Sequence, residues 1–187
     1  SFNNNQSAQD GGAIEISGNT NNITLNTCTF ENNIASSDGG AIRNESSASE
    51  ITNCVFDSNE SLSGGGVYNN SSSPSLTDCT FTSNTALTPV IGGGGGGMYN
   101  NDGSSPSLTN CSFTENTSLW SGGGMENNNS SPVLVGCIFD GNTSPNQGGG
   151  MWSNNGVVTL TDCSFTANIS SGGAGMMIQD NCQLNMT

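Results

Sequence analysis

Basic residues are almost absent from this chain. Its 187 residues include one arginine, Arg43, and neither lysine nor histidine, against 15 acidic residues. Affinity for nucleic acid comes from Lys and Arg neutralising phosphates, and a grip on anionic membranes needs a basic cluster, so neither partner is expected. No stretch approaches the roughly 18 apolar residues of a membrane span, so no membrane insertion by this segment is expected. No signal peptide is read within the sequence. Apolar residues amount to 31% and charged residues to 9%. Disordered chains are similarly poor in apolar residues and scatter them without period. Here they are not scattered.

Cys-x-Phe recurs at Cys28–Phe30, Cys54–Phe56, Cys79–Phe81, Cys111–Phe113, Cys137–Phe139 and Cys163–Phe165, and Phe2 belongs to a truncated first copy. The chain thus opens inside a motif, as a mature piece of something longer would. Successive phenylalanines are 28, 26, 25, 32, 26 and 26 residues apart. Three residues after each comes asparagine: Asn5, Asn33, Asn59, Asn84, Asn116, Asn142 and Asn168. Leu25, Ile51, Leu76, Leu108, Leu134 and Leu160 stand three residues before each cysteine. A Gly-Gly signal with an apolar residue behind it completes the unit, as in Gly39-Gly40-Ala41 and Gly65-Gly66-Val67.

Cys and Phe two apart share one face of a strand, which is period-2 logic; the Leu-to-Cys step of three breaks that parity and demands a bend. Each unit therefore holds about three short strands, none able to bury its own apolar side. Stacking buries them together. Repeats of about 26 residues without helical periodicity predict an all-β chain, a right-handed parallel β-helix of about seven coils. Residues 1–187 form one segment of a longer repeat array in this reading. Seven coils at the inter-strand distance of about 4.8 Å span roughly 34 Å.

In-register stacking places like residues on like. Phe30, Phe56, Phe81, Phe113, Phe139 and Phe165 should form an aromatic row in the core, and the Leu/Ile series a second. The residues after Gly-Gly (Ala13, Ala41, Val67, Met98, Met125, Met151) are assigned to a third, and the next position, which includes Glu126, to the outside. Asn33, Asn59, Asn84, Asn116, Asn142 and Asn168 are expected to form an internal amide ladder at a corner, where Asn also tolerates a left-handed backbone. Gly-Gly should supply positive φ or close backbone approach at another corner. The run Gly92–Gly97 reads as a loop insertion that accounts for the step of 32.

Cys28, Cys54, Cys79, Cys111, Cys137 and Cys163 fall on one row. Parallel Cβ vectors at about 4.8 Å are too far apart for disulfides, so free buried thiols are expected. Cys182, two residues before Leu184, is read in register with Ile23 and Val158. A straight row cannot make a tetrahedral zinc site, and no metal or cofactor is expected. Asn-x-Ser/Thr sequons make Asn22, Asn44, Asn69, Asn70, Asn110, Asn128 and Asn129 candidate glycosylation sites. Sequons at Asn5, Asn59, Asn116, Asn142 and Asn168 fall on the expected ladder, where burial would bar a sugar.

The pairing of Gly-Gly-Ala-Ile (residues 11–14 and 39–42) with Phe-x-x-Asn in every unit resembles the repeats of the chlamydial polymorphic outer membrane proteins, along the whole chain. The resemblance implies a secreted or surface-displayed β-helix, often an adhesin. Later copies depart from it, with Val67, Met98, Met125 and Met151 in place of Ala. The family's C-terminal β-barrel does not fall within this stretch, and no catalytic residues carry over.

Three functions follow as expectations. The first is an extracellular structural or adhesive rod: a surface adhesin, stalk or filament subunit. Its partners would be other coils or like subunits end to end, with a host surface or glycan as ligand. The second is a flat face for glycan or ice, built on Thr29, Thr80, Ser112 and Ser164 but interrupted by Val55 and Ile138. The third is a polysaccharide lyase or hydrolase, which needs an acid/base set. Asp57, Asp140, Asp78 and Asp162 instead recur as turn residues, so the chain is not expected to be an enzyme.

Overall fold

A computed structural model describes residues 1–18, 21–89 and 93–187, with only the backbone of Asn21 and Asn22. It is an all-β solenoid, a right-handed parallel β-helix of about seven coils. The Cys-x-Phe strands form one sheet of seven, from Phe2–Asn3 to Ser164–Thr166. Two-residue strands such as Glu60–Ser61 form a second sheet of five. The third sheet carries two strands per coil, such as Val67–Asn70 and Ser75–Thr77, separated by an Asn/Ser/Pro bend. In the last two coils that bend is smoothed into the single strands Met151–Thr161 and Met176–Met186.

Pairing keeps like residues together, with register shifts between Asn21 and Thr24 and between Asn154 and Gly156: Phe81 lies beside Phe56 and Phe113, and Leu76 beside Ile51 and Leu108. The seven phenylalanine rings form one continuous stack, with centroids 4.5 to 4.9 Å apart and planes within 7°. Phe30, Phe56, Phe81, Phe113 and Phe139 are wholly buried, each worth about 2–3 kcal/mol of hydrophobic stabilisation. Thiols and Leu/Ile side chains fill the neighbouring positions of the same core.

Corners are made by single residues in the left-handed region. The expected bend between Leu and Cys is such a residue immediately before each cysteine, as at Thr27, Asn53, Asp78 and Asn110. At the Phe-x-x-Asn corner, however, the positive φ falls on the residue before the ladder asparagine (Asn32, Ser58, Ser83, Glu115) and not on the asparagine itself. The reason is division of labour: the ladder residue must aim its amide inward, while its neighbour turns the chain. These corner residues keep their N–H groups bonded to the next coil, as Asn53 N does to Thr77 O at 3.0 Å. That continuity offsets a local cost of about 1 kcal/mol for each non-glycine.

The glycine corner corrects the expected alignment by one residue. Gly39, Gly40, Ala41 and Ile42 lie beside Gly64, Gly65, Gly66 and Val67. The full motif is therefore Gly-Gly-(Ala/Gly)-apolar, and the third core row runs Ile14, Ile42, Val67, Met98, Met125, Met151, Met176. Ala13 and Ala41 occupy the position that later coils give to glycine. At Gly40 a Cβ would collide with Gly65 O and the Glu60 backbone, so the coils here approach backbone to backbone. Gly95, Gly96 and Gly97 are this same corner in the fourth coil and not part of an insertion; the extra residues lie before Gly94, whose carbonyl accepts from Gly64 N. Gly92 lies outside the described residues.

Candidate functional site

Buried polar chemistry in this molecule is organised in rows along the axis. At the Phe-x-x-Asn corner each asparagine from Asn33 to Asn142 uses its whole amide. Asn84 Nδ2 donates to Asn116 Oδ1 in the next coil (2.9 Å) and to Phe56 O in the preceding one (2.9 Å). Its Oδ1 accepts from Asn59 N (3.0 Å) and Asn59 Nδ2 (2.9 Å). The pattern runs from Asn5 to Asn168, and Asn33, Asn59, Asn84, Asn116 and Asn142 have no exposed surface. Two donors and two acceptor positions satisfied on each residue from Asn33 to Asn142 make this a closed network, the condition under which buried amides stabilise.

A second amide row was not expected. Asn44, Asn69, Asn100 and Asn127 are also fully buried, and each Nδ2 donates along the axis: Asn44 to Asn69, Asn69 to Asn100 and Asn100 to Asn127, all at 2.8 Å, then Asn127 to Ser153 Oγ at 2.9 Å. This corrects the reading of Asn44 and Asn69 as glycosylation candidates, since alternation along the strand turns them inward beside Ile42 and Val67. Asn70 is partly buried and donates to the Glu45 carboxylate (3.0 and 3.1 Å), and Asn128 donates to Asn101 Oδ1 (3.2 Å). Asn110 and Asn129 are exposed; the side chain of Asn22 lies outside the described residues. The recurrence of Asn two residues after Ile42, Val67, Met98 and Met125 was the signal available in the sequence.

The cysteine row is held as free thiols, with Cys54, Cys79, Cys111 and Cys137 buried. Each of these donates to the carbonyl two residues before it, as Cys54 Sγ does to Thr52 O at 3.3 Å. Burial pushes the Cys163 and Cys182 thiols up. Cys182 lies beside Gly156, while Leu184 pairs with Val158 and Met186 with Leu160. The expected match of Cys182 with Val158 is thus displaced by two residues: Met186, and not Leu184, continues the Leu row beside Leu160, and the register shift between Asn154 and Gly156 supplies one residue of the difference. Among the described residues no group of three or more His, Cys, Asp or Glu could hold a metal ion.

On the outer side of the glycine-corner strands runs the row Glu15, Arg43, Tyr68, Tyr99, Glu126, Trp152, Met177. Arg43 is gripped by Glu45 (2.7 Å), Glu15 (3.3 Å) and Asp10 (3.5 Å). Nearby Asp38 has its carboxyl pushed up to about 6, by burial and then by the charge of Asp10. Glu126 points outward as expected, yet it is 1% exposed. The chain before the corner folds over it: the Ser121 hydroxyl donates to Glu126 Oε2, and the same oxygen sits so close to Gly94 that a Cβ there would collide with it. Burial pushes the Glu126 carboxyl up to about 8, so it is mostly protonated at pH 7.

Beside Glu126 lies a groove of about 250 Å³, lined by Trp120, Trp152, Gln147, Asn154, Gln179 and Asp180 among others. Both tryptophans of the chain are in it. Trp152 Nε1 donates to Gln179 Oε1 at 2.8 Å, which fixes the indole. Among the described residues Asn154 Oδ1 is buried without a hydrogen-bond partner. Sequence reasoning missed this groove, because Trp120, Gln147 and Asp180 come from the variable parts of the repeat.

The Cys-x-Phe sheet presents Thr29, Thr80, Ser112 and Ser164 in one outward row, with Val55 and Ile138 exposed between them. Asp57 and Asp140 pair beside Thr82, Thr114 and Thr166 along that sheet, and Asp78 and Asp162 sit at left-handed corners.

Comparison with curated proteins and with solved structures gave no match. Residues 1–117 match a protein family described as a right handed beta helix region. Parallel coils stacked one on the next are what that description entails, and the chain belongs to the right-handed β-helix family.

Proposed function

We propose that this chain is a segment of an extracellular rod with structural or adhesive work, of the type its repeats share with the chlamydial polymorphic outer membrane proteins. The observation that carries the reading is the use of the repeat itself. Its recurring Phe, Asn, Cys and Leu/Ile face inward and hold one coil to the next, while outward positions vary from coil to coil. A scaffold built this way keeps its shaft constant and leaves its surface free to specialise. A net charge of −14 suits a soluble surface that repels copies of itself laterally. Partners in this reading are further coils or like subunits end to end, since parallel strands bond along the axis, together with a ligand on the outer surface. The glycan- or ice-binding face has less support, because Val55 and Ile138 interrupt its hydroxyl row. No catalytic role is proposed.

The test is immunogold labelling of intact cells of the source organism, combined with binding of chain-coated beads to candidate surfaces. Surface label that external protease removes, with bead adhesion, is the expected result. Label seen only after permeabilisation would sink the extracellular reading. A fall in viscosity of a polysaccharide incubated with the chain would replace the rod with an enzyme.

A further inference from the structure

The groove beside Glu126 is lined by two carboxyls, side-chain amides and aromatic faces and has no basic residue of its own. Its floor is a carboxyl set in an aromatic row, with Tyr99 in the preceding coil and Trp152 in the following one. Asp180 adds a second carboxyl at the rim, and the buried Asn154 Oδ1 has no donor among the described residues. Gln179 Oε1 is already engaged by the Trp152 indole. The one arginine of the chain is held three coils away by Asp10, Glu15 and Glu45 and cannot serve here.

We propose that this groove receives a primary ammonium group on an aliphatic stem, the end of a lysine side chain presented by a partner protein. Three N–H donors of an ammonium match the Asn154 carbonyl oxygen and the carboxyls of Glu126 and Asp180. Its methylene stem lies against Trp120 and Trp152, where cation–π attraction adds to apolar contact. A quaternary ammonium would fill the aromatic part but leave the Asn154 oxygen without a donor. An amino sugar would bring several neutral hydroxyls to a site whose Gln179 acceptor is taken. The raised Glu126 carboxyl is the behaviour of a buried acid with no cation beside it, and an arriving ammonium would let it ionise. The long-range field of a chain with net charge −14 draws basic partners in. The proposal rests on the rod reading only for the source of the lysine; the small-molecule test below judges the groove, and the bead and labelling tests above judge the rod.

Because Trp120 and Trp152 are the only tryptophans, intrinsic tryptophan fluorescence reports on this groove alone. The whole chain is titrated with Nα-acetyl-lysine methylamide, and in parallel with the norleucine and trimethyl-lysine analogues and methyl glucosaminide. A saturable change is expected with the lysine compound and none with norleucine. Trimethyl-lysine and the Glu126→Gln variant should each weaken binding by about tenfold, the loss of one charge-assisted contact. Circular dichroism checks that the variant is folded, and Asn154→Leu serves as a second variant with the same expected direction. Equal binding of norleucine or of trimethyl-lysine, unchanged affinity in folded Glu126→Gln, or binding of the glucosaminide in place of lysine would each overturn the proposal.

Discussion

Two files of buried asparagine run through this molecule, and they are built differently. The corner file from Asn5 to Asn168 bonds side chain to side chain and also side chain to backbone, through Phe carbonyls and the N–H of the neighbouring asparagine. The file from Asn44 to Asn127 bonds mainly to itself, with Ser49 Oγ donating to Asn44 Oδ1 at 3.1 Å. The first has the same residue in every coil. The second gives way to Ile16 at one end and to Ser153 and Ile178 at the other. An amide that also satisfies main chain at a turn has no apolar substitute. An amide that satisfies only its like can be replaced wherever the pair is replaced together.

The largest expected effect follows directly. Asn116→Ala strips partners from Asn84 N, Asn84 Nδ2 and Phe81 O, and should cost about 4 kcal/mol, read from the urea midpoint. Glu126, a buried acid belonging to neither file, sharpens the contrast through pH. Its carboxyl is pushed up to about 8 from an ordinary value of 4.5, so the folded chain retains a proton that the unfolded chain releases. The stability this contributes is fully present below about pH 4.5 and is lost as pH rises through 8. A loss on the order of 3 kcal/mol between pH 5 and pH 8.5 is expected in denaturation curves. Glu126→Gln should flatten it, leaving a smaller slope of the same sign from Asp38, raised to about 6.

Smaller effects test the second file. Asn100→Ala orphans Asn69 Nδ2 and Asn127 Oδ1 and should cost about 2 kcal/mol. Changing Asn44, Asn69, Asn100 and Asn127 together to Leu, with Ser47, Ser49 and Ser153 each changed to Ala, should stay within about 1 kcal/mol of the parent chain by the same measurement, because both partners of each bond leave at once. Expression in a glycosylating host should change stability least. Peptide mapping is expected to find sugar at Asn110 or Asn129 and none at Asn44 or Asn69, and a glycan on Asn69 would contradict the second file outright.

The Phe row and the corner Asn row could be read from the chain because identity and spacing coincide in every coil. The glycine corner was misread by one residue because Ala41 and Gly66 share a position, so that a Gly pair in one coil aligned with the wrong pair of a Gly triplet in the next. The Asn44 file was hidden by chemistry: Asn followed by Ser two residues on is both a glycosylation signal and, in a strand, an inward neighbour of Ile42. What covers Glu126 could not be read at all. Its cover comes from Ser121 and Gly94, which belong to loops of unequal length and reach the carboxyl only once the coils are stacked.

The amide files have an electrical consequence. Main-chain bonds between coils run in both directions, as Val55 N to Cys28 O and Gly39 N to Ser63 O illustrate, and their dipoles largely cancel. The side-chain amides do not alternate. Within both files each Nδ2 that has an asparagine in the following coil gives to its Oδ1, so their dipoles add along the axis, partial positive toward higher residue numbers. Buried from salt, this field makes the shaft an electret with a head and a tail, whose opposite poles would greet an approaching charge differently.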